Sequence, residues 1–190
     1  ECTAISLSDE ETKCDSDGVK MDGQTVTITE GGTYLLTGSL SNGSVVVDTD
    51  KTEKVQLILE NGSIINEEGA GICVEQADKV FITLEDGSTN KIVSNYFAEN
   101  EDTNIDGAIF SREDLTLNGS GTLKITSAAH GIVSKDDLVL IGGVYQIQSE
   151  KQGLSGKESV RMQMEHLRLL PVQMRSTVRI QMKIQKDLFI

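Results

Sequence analysis

One phrase that returns at a near-constant pitch constrains this chain more than any other feature. Asp106-Gly107-Ala108-Ile109-Phe110-Ser111-Arg112-Glu113-Asp114-Leu115 recurs as His130-Gly131-Ile132-Val133-Ser134-Lys135-Asp136-Asp137-Leu138. It recurs again as Gln152-Gly153-Leu154-Ser155-Gly156-Lys157-Glu158-Ser159-Val160. The glycines sit 24 and then 22 residues apart. Such a unit cannot bury its own apolar face and must stack on a neighbour. An antiparallel sandwich also has closely spaced short strands, but it rarely repeats one phrase at a fixed pitch. The expected fold is therefore all-β: a single-stranded parallel β-helix, or solenoid. Period-2 alternation places Ile109, Ile132 and Leu154 in one internal stack and Leu115, Leu138 and Val160 in a second. Leu117/Leu140 and Ile125/Ile147 continue the pattern.

The rest of the chain obeys the same grammar. Thr25–Thr29 alternates apolar and polar residues, and short strand-like runs follow in rapid succession, among them Thr33–Ser39, Val55–Glu60, Val80–Leu84, Leu138–Ile141 and Tyr145–Gln148. Asn42-Gly43, Asn61-Gly62, Asp86-Gly87, Asn118-Gly119 and Gly142-Gly143 punctuate them, as tight turns require. Residues 1–18 read as an irregular lead-in and residues 19–160 as the repeat domain. Cys2 and Cys14 are close enough in sequence for a loop disulfide in an exported protein. Cys73, between Ile72 and Val74, reads as a small core residue. The chain opens on Glu1 rather than Met, and an upstream piece is expected to precede it.

The language changes at Arg161. Residues 161–190 hold six basic and two acidic residues, four of the five Met, and none of the 18 Gly. A basic amphipathic helix is the conservative reading. A shifted reading frame is the sharper one. Restoring one base after the Arg161 codon permits IADGTFTITAGTDAI, which aligns without a gap to the repeat ending at Leu154. Residues 161–190 are accordingly expected to be a frameshifted, non-native tail, and the β-helix to be truncated.

Residues 1–160 carry a net charge of −17. That charge opposes nucleic acid and anionic lipid surfaces. No run of about 20 apolar residues is present to span a membrane as a helix. Against this background the stacked repeat aligns Arg112, Lys135 and Lys157 in one column, beside a column of Glu113, Asp136 and Glu158. The two columns read either as a solvated ion-pair ladder or as a row of cations for a polyanion. Arg112 can hold a carboxylate bidentately, whereas the lysines act as point charges. The segment Ser94–Asp106 breaks the rhythm. It offers Glu99, Glu101, Asp102 and Asp106 as calcium-ligand candidates, or as a merely solvated loop. Its Tyr96-Phe97 pair suits either sugar stacking or anchoring of the loop.

The run from Val26 to Val160 resembles a carbohydrate-binding parallel β-helix family, long a domain of unknown function, with a fold like that of pectate lyases. The resemblance rests on Asp22–Thr29, Gly32–Leu40, Ala77–Leu84, Ala108–Leu123 and the Ser134–Leu138 phrase. It implies a right-handed coil, export to the extracellular space or cell surface, calcium sites, and binding of cellulose-like and acidic polysaccharides. The expected function is thus non-catalytic, calcium-assisted recognition of a plant-type or acidic polysaccharide such as polygalacturonate, by a monomer. A surface adhesin or scaffold without a glycan role is the alternative from another class. A calcium-dependent polysaccharide lyase is the third reading, with Arg112, Lys135 or Lys157 cast as its base. His130 reads as a turn variant.

Overall fold

The computed structural model of the chain describes residues 2–96 and 105–169, with residues 164–169 described by their backbone alone. The first strands are β1 (Cys2–Leu7), β2 (Val19–Asp22), β3 (Thr25–Ile28), β4 (Gly32–Leu40), β5 (Ser44–Asp48) and β6 (Lys54–Leu59). They are followed by β7 (Ser63–Asn66), β8 (Ile72–Gln76), β9 (Lys79–Leu84), β10 (Thr89–Ser94), β11 (Gly107–Ser111) and β12 (Asp114–Gly119). The last are β13 (Thr122–Ser127), β14 (His130–Ser134), β15 (Asp137–Ser149), β16 (Leu154–Gly156) and β17 (Ser159–Leu169).

The internal stacks form as the periodicity requires. Ile72, Ile109, Ile132 and Leu154 are partners on successive parallel strands. So are Val80, Leu115, Leu138 and Val160. Tyr34, Leu57, Ile82, Leu117 and Leu140 make another column, and Ile64, Ile92, Ile125 and Ile147 a fourth. These side chains are all buried in one continuous core. Each contributes about 1.5–3 kcal/mol of apolar burial.

The open single-stranded right-handed β-helix is corrected by how the strands close. β4 pairs with β6 through Gly32–Leu36 and then with β7 through Ser39 and Leu40. β15 likewise pairs with β12 through Leu138–Ile141 and with β13 through Val144–Ser149. The ring β4-β6-β9-β12-β15-β13-β10-β7 therefore returns to β4 as a closed, parallel eight-stranded barrel. A second sheet of seven strands runs β16-β14-β11-β8-β5-β3-β2. Closure depends on strands that bend without breaking. The segments expected as separate strands at Leu138–Ile141 and Tyr145–Gln148 are one strand, β15. It turns at Gly142 and Gly143, whose φ values are 80° and 90°, where an L side chain is disfavoured. Gly38, with φ 82°, occupies the bend of β4.

Two further expectations change. The lead-in over residues 1–18 contains β1, which lies parallel to β4 in the register Cys2↔Thr33 to Leu7↔Gly38. Cys2 and Cys14 are free thiols. Cys2 is exposed on β1 while Cys14 packs partly against the core, so no bridge joins them.

The tail is extended rather than helical as far as Leu169. β17 follows β15 in register from Ser159 to Gln163, and then the ladder slips: Ile141 faces Gln163, but Gly143 faces Leu167. The slip falls at the glycine corner of β15, where the tail has no glycine to follow it. The restored frame would supply Asp-Gly there. Re-reading the coding DNA across codons 159–164 is expected to reveal one missing base. An uninterrupted frame in independent reads would remove this explanation of the slip.

Candidate functional site

The cation column lies at the C-terminal ends of β11, β14 and β16. The backbone N–H of Arg112 donates to Val74 O at 2.9 Å, that of Lys135 to Ser111 O at 2.8 Å, and that of Lys157 to Ser134 O at 3.0 Å. Each residue thus stands one rung above the last, with strands about 4.8 Å apart. Ser111 and Ser134 shape the turn that presents them. Ser111 Oγ donates to Glu113 O at 2.7 Å and Ser134 Oγ to the same carbonyl at 3.0 Å. Glu113 N–H and Asp136 N–H donate back to the Ser111 and Ser134 hydroxyls.

The column is not an ion-pair ladder with the neighbouring acids. Among the described residues no ion pair joins Glu113, Asp136 or Glu158 to it. Arg112 Nε instead lies 2.5 Å from Glu75 Oε2. Lys135 lies back across the outer face of the second sheet, with Nζ 3.9 Å from Asp106 Oδ1. The Lys157 side chain is exposed and has no ion pair among the described residues.

Beneath these cations sits Phe110, fully buried in a small outer cluster with Ala70, Cys73 and Val133. Arg112 Cζ is 5.6 Å and Lys135 Nζ 5.5 Å from its ring centroid. Attraction of both cations to this ring holds their stems against the outer cluster. Val133, Ser134, Lys135, Ser155 and Lys157 line a shallow cleft of about 500 Å³ at the same place. It combines an apolar floor, the partly exposed Ser155 hydroxyl and two lysine side chains, a set able to hold a hydroxylated, negatively charged chain.

Burial and the neighbouring charges shift the groups around the column. Burial pushes the Glu75 carboxyl up, but hydrogen bonds from Arg112 and Cys73, with the Arg112 charge, outweigh it and hold the group below its ordinary value. The same hydrogen bond raises Arg112. Burial, with the Glu75 hydrogen bond and charge, drives the Cys73 thiol well up, so it behaves as a core residue and not as a nucleophile. His130 is lowered, chiefly by burial, against the opposing pull of Asp106. Its Nδ1 accepts from Gln152 N–H at 3.1 Å, which places the neutral ring's proton on Nε2, 3.4 Å from Asp106 Oδ2. The turn-variant reading of His130 omitted this contact.

Of the calcium-ligand candidates, Asp106 is the one within the described residues. Asp106 Oδ1 is buried without a hydrogen bond among the described residues, yet the carboxylate faces Lys135 and His130 rather than other oxygen donors. No group of three or more His, Cys, Asp or Glu is placed to hold a metal among the described residues. Glu99, Glu101 and Asp102 lie outside the described residues, as does Phe97. Tyr96 is half-buried just past β10, and no contact among the described residues brings it to the column.

Sequence reasoning missed Glu75, Phe110 and the serines of the cleft. Phe110 and Ser134 belong to the recurring phrase, and Ser155 follows the stacked Leu154, so that signal was available. Glu75 is hidden because the Ser94–Asp106 segment separates its unit from the next and masks the repeat.

Residues 22–172 match the family described as carbohydrate-binding domain-containing protein. A carbohydrate-binding domain-containing protein of Acetivibrio thermocellus is 34% identical over 131 residues, which make up 67% of this chain and 46% of that relative. The chain therefore spans about half the relative's length. A solved structure, the polysaccharide lyase-like protein from C. thermocellum in a gadolinium derivative, is similar with a TM-score of 0.69. That likeness covers 90% of this chain and 100% of the other at 20% identity, so it concerns the fold alone.

Proposed function

This chain belongs to the carbohydrate-binding domain family, and from that premise we propose that it is an exported, non-catalytic module that holds an acidic polysaccharide along Arg112, Lys135 and Lys157. The single observation that carries the reading is the register of these cations with a cleft that sets the Ser155 hydroxyl beside lysine ammonium groups. Successive rungs repeat at a spacing comparable to a sugar unit, so one chain can meet several rungs in turn. The Ser155 hydroxyl exchanges hydrogen bonds with ring hydroxyls, and the ammonium groups meet carboxylates. The −17 charge of residues 1–160 opposes a polyanion over most of the surface, so binding needs a local row of cations such as this column. Calcium enters the reading only through the acidic segment ending at Asp106.

Retention of the chain on polygalacturonate and on cellulose, with calcium and then with EDTA, tests the proposal. Retention on polygalacturonate is expected. Loss of retention in EDTA would assign calcium a bridging part, and unchanged retention would leave the column sufficient. Lys157→Glu is expected to weaken polygalacturonate binding by roughly tenfold, because it puts a like charge against the ligand. Its side chain is exposed, so the fold is expected to stand. Absence of any glycan retention would return the chain to the scaffold reading. Release of unsaturated uronate ends would make it a lyase.

A further inference from the structure

We propose that Glu75 is a specificity-determining residue of the cation column, closing it at one end by occupying Arg112, so that an acidic chain is read chiefly toward its Lys157 end. The inference rests on the binding reading above and adds a residue that limits it.

Backbone geometry places Glu75 at the head of the column. Val74 is level with Ser111 on the next strand, so the residue after Val74 is one rung before Arg112. The β5–β8 ladder is irregular at this point: Val47 faces Val74, but Asp48 faces Gln76. Glu75 is the extra residue of that bulge, a device that re-aims a side chain. Its carboxylate is then fixed on both oxygens. Oε2 accepts from Arg112 Nε–H at 2.5 Å, and Oε1 accepts from the Cys73 thiol at 3.2 Å. Arg112 is held from below by Phe110 as well. One edge of the guanidinium is thus satisfied from within, and its charge is largely matched before any ligand arrives.

An incoming carboxylate at that rung meets Glu75 as well as Arg112. The pair cancels much of the attraction there, whereas Lys157 offers its full charge. Glutamine at position 75 keeps an acceptor for Arg112 Nε–H and removes the negative charge. Aspartate keeps the charge on a shorter stem.

The test is titration of the full chain with polygalacturonate oligomers of increasing length at several salt concentrations. Glu75→Gln is expected to bind about three- to fivefold tighter, the scale of one partly exposed ion pair. Its affinity is expected to fall more steeply with salt, by about one additional ion contact. Its affinity is also expected to keep rising for oligomers one sugar longer than the length at which the native chain levels off. Glu75→Asp is expected to stay near the native affinity and salt dependence. A purely structural role for Glu75 would shift the unfolding midpoint of Glu75→Gln and leave salt slope and length dependence alone, and that result would overturn the proposal. Unchanged affinity in Glu75→Gln alongside weakened binding in Lys157→Glu would also overturn it while leaving the binding reading intact. Failure of the native chain to bind would overturn both.

Discussion

Replacing Gly38 by alanine is expected to destabilise the fold by about 3 kcal/mol or more, seen as a large drop in the denaturation midpoint. Two costs add at this position. The backbone has φ 82°, where a Cβ is strained by about 1–2 kcal/mol. The added Cβ would also lie 2.3 Å from Leu7 O, a backbone atom that cannot step aside without disturbing β1. Gly23→Ala separates the two costs. Its φ is 57°, and nothing lies within 4 Å of an added Cβ. It should cost only about 1 kcal/mol. Equal effects at the two positions would mean that the close approach of β1 to the bend of β4 contributes nothing. The bend carries the closure of the barrel, so Gly38→Ala should also speed amide exchange in β1 and β7 first.

Asn90→Leu is expected to cost about 3 kcal/mol, although it replaces a polar side chain by an apolar one in the core. Asn90 is fully buried in a column whose next members are Leu123 and Tyr145. Its Oδ1 accepts from Gly62 N–H at 2.9 Å. Its Nδ2 donates to Ser88 Oγ at 2.9 Å, and more weakly to Leu59 O at 3.3 Å and Thr122 O at 3.4 Å. Leucine would leave the Gly62 donor buried without its partner. Leu59 O keeps bonds from Glu85 N–H and Ser88 Oγ, which is why the cost falls mainly on Gly62. Asn90→Asp sharpens the test. A buried carboxylate facing two carbonyls has its pKa raised above the unfolded value, so the penalty is present at neutral pH and relieved as pH falls through that raised value. Asn90→Asp should therefore be closer to the native protein in stability near pH 4 than at pH 7. A pH-independent deficit would mean that shape rather than hydrogen bonding fixes Asn90.

Both residues show where the sequence is legible and where it is not. Gly38 stands in a run, Tyr34-Leu35-Leu36-Thr37-Gly38-Ser39, that reads as one strand, and it is one. Nothing in that run states that its first half pairs with β6 and its second half with β7. Asn90 breaks an apolar alternation and would pass for a surface position. Its burial follows only from the strands stacked on either side.

The candidate site divides the same way. The column of Arg112, Lys135 and Lys157 followed from the repeat, because in-register parallel stacking carries every residue of the phrase onto its equivalent. The partners of those cations did not follow. Glu75 arrives through a bulge, Asp106 through the start of the unit before that of Lys135, and Phe110 through an outer cluster.

What the sequence determined by itself is local and periodic: all-β structure, the apolar stacks, the turn glycines and the cation column. These depend on alternation along a strand and on a repeat that superposes like on like. What the tertiary structure alone decided is how the stacks close and what each cation touches. A bent strand satisfies its hydrogen bonds with two different neighbours, and that choice is set by the packing of segments far apart in the chain. Ring closure at β4 and β15, and the capture of Arg112 by Glu75, are both consequences of such distant packing.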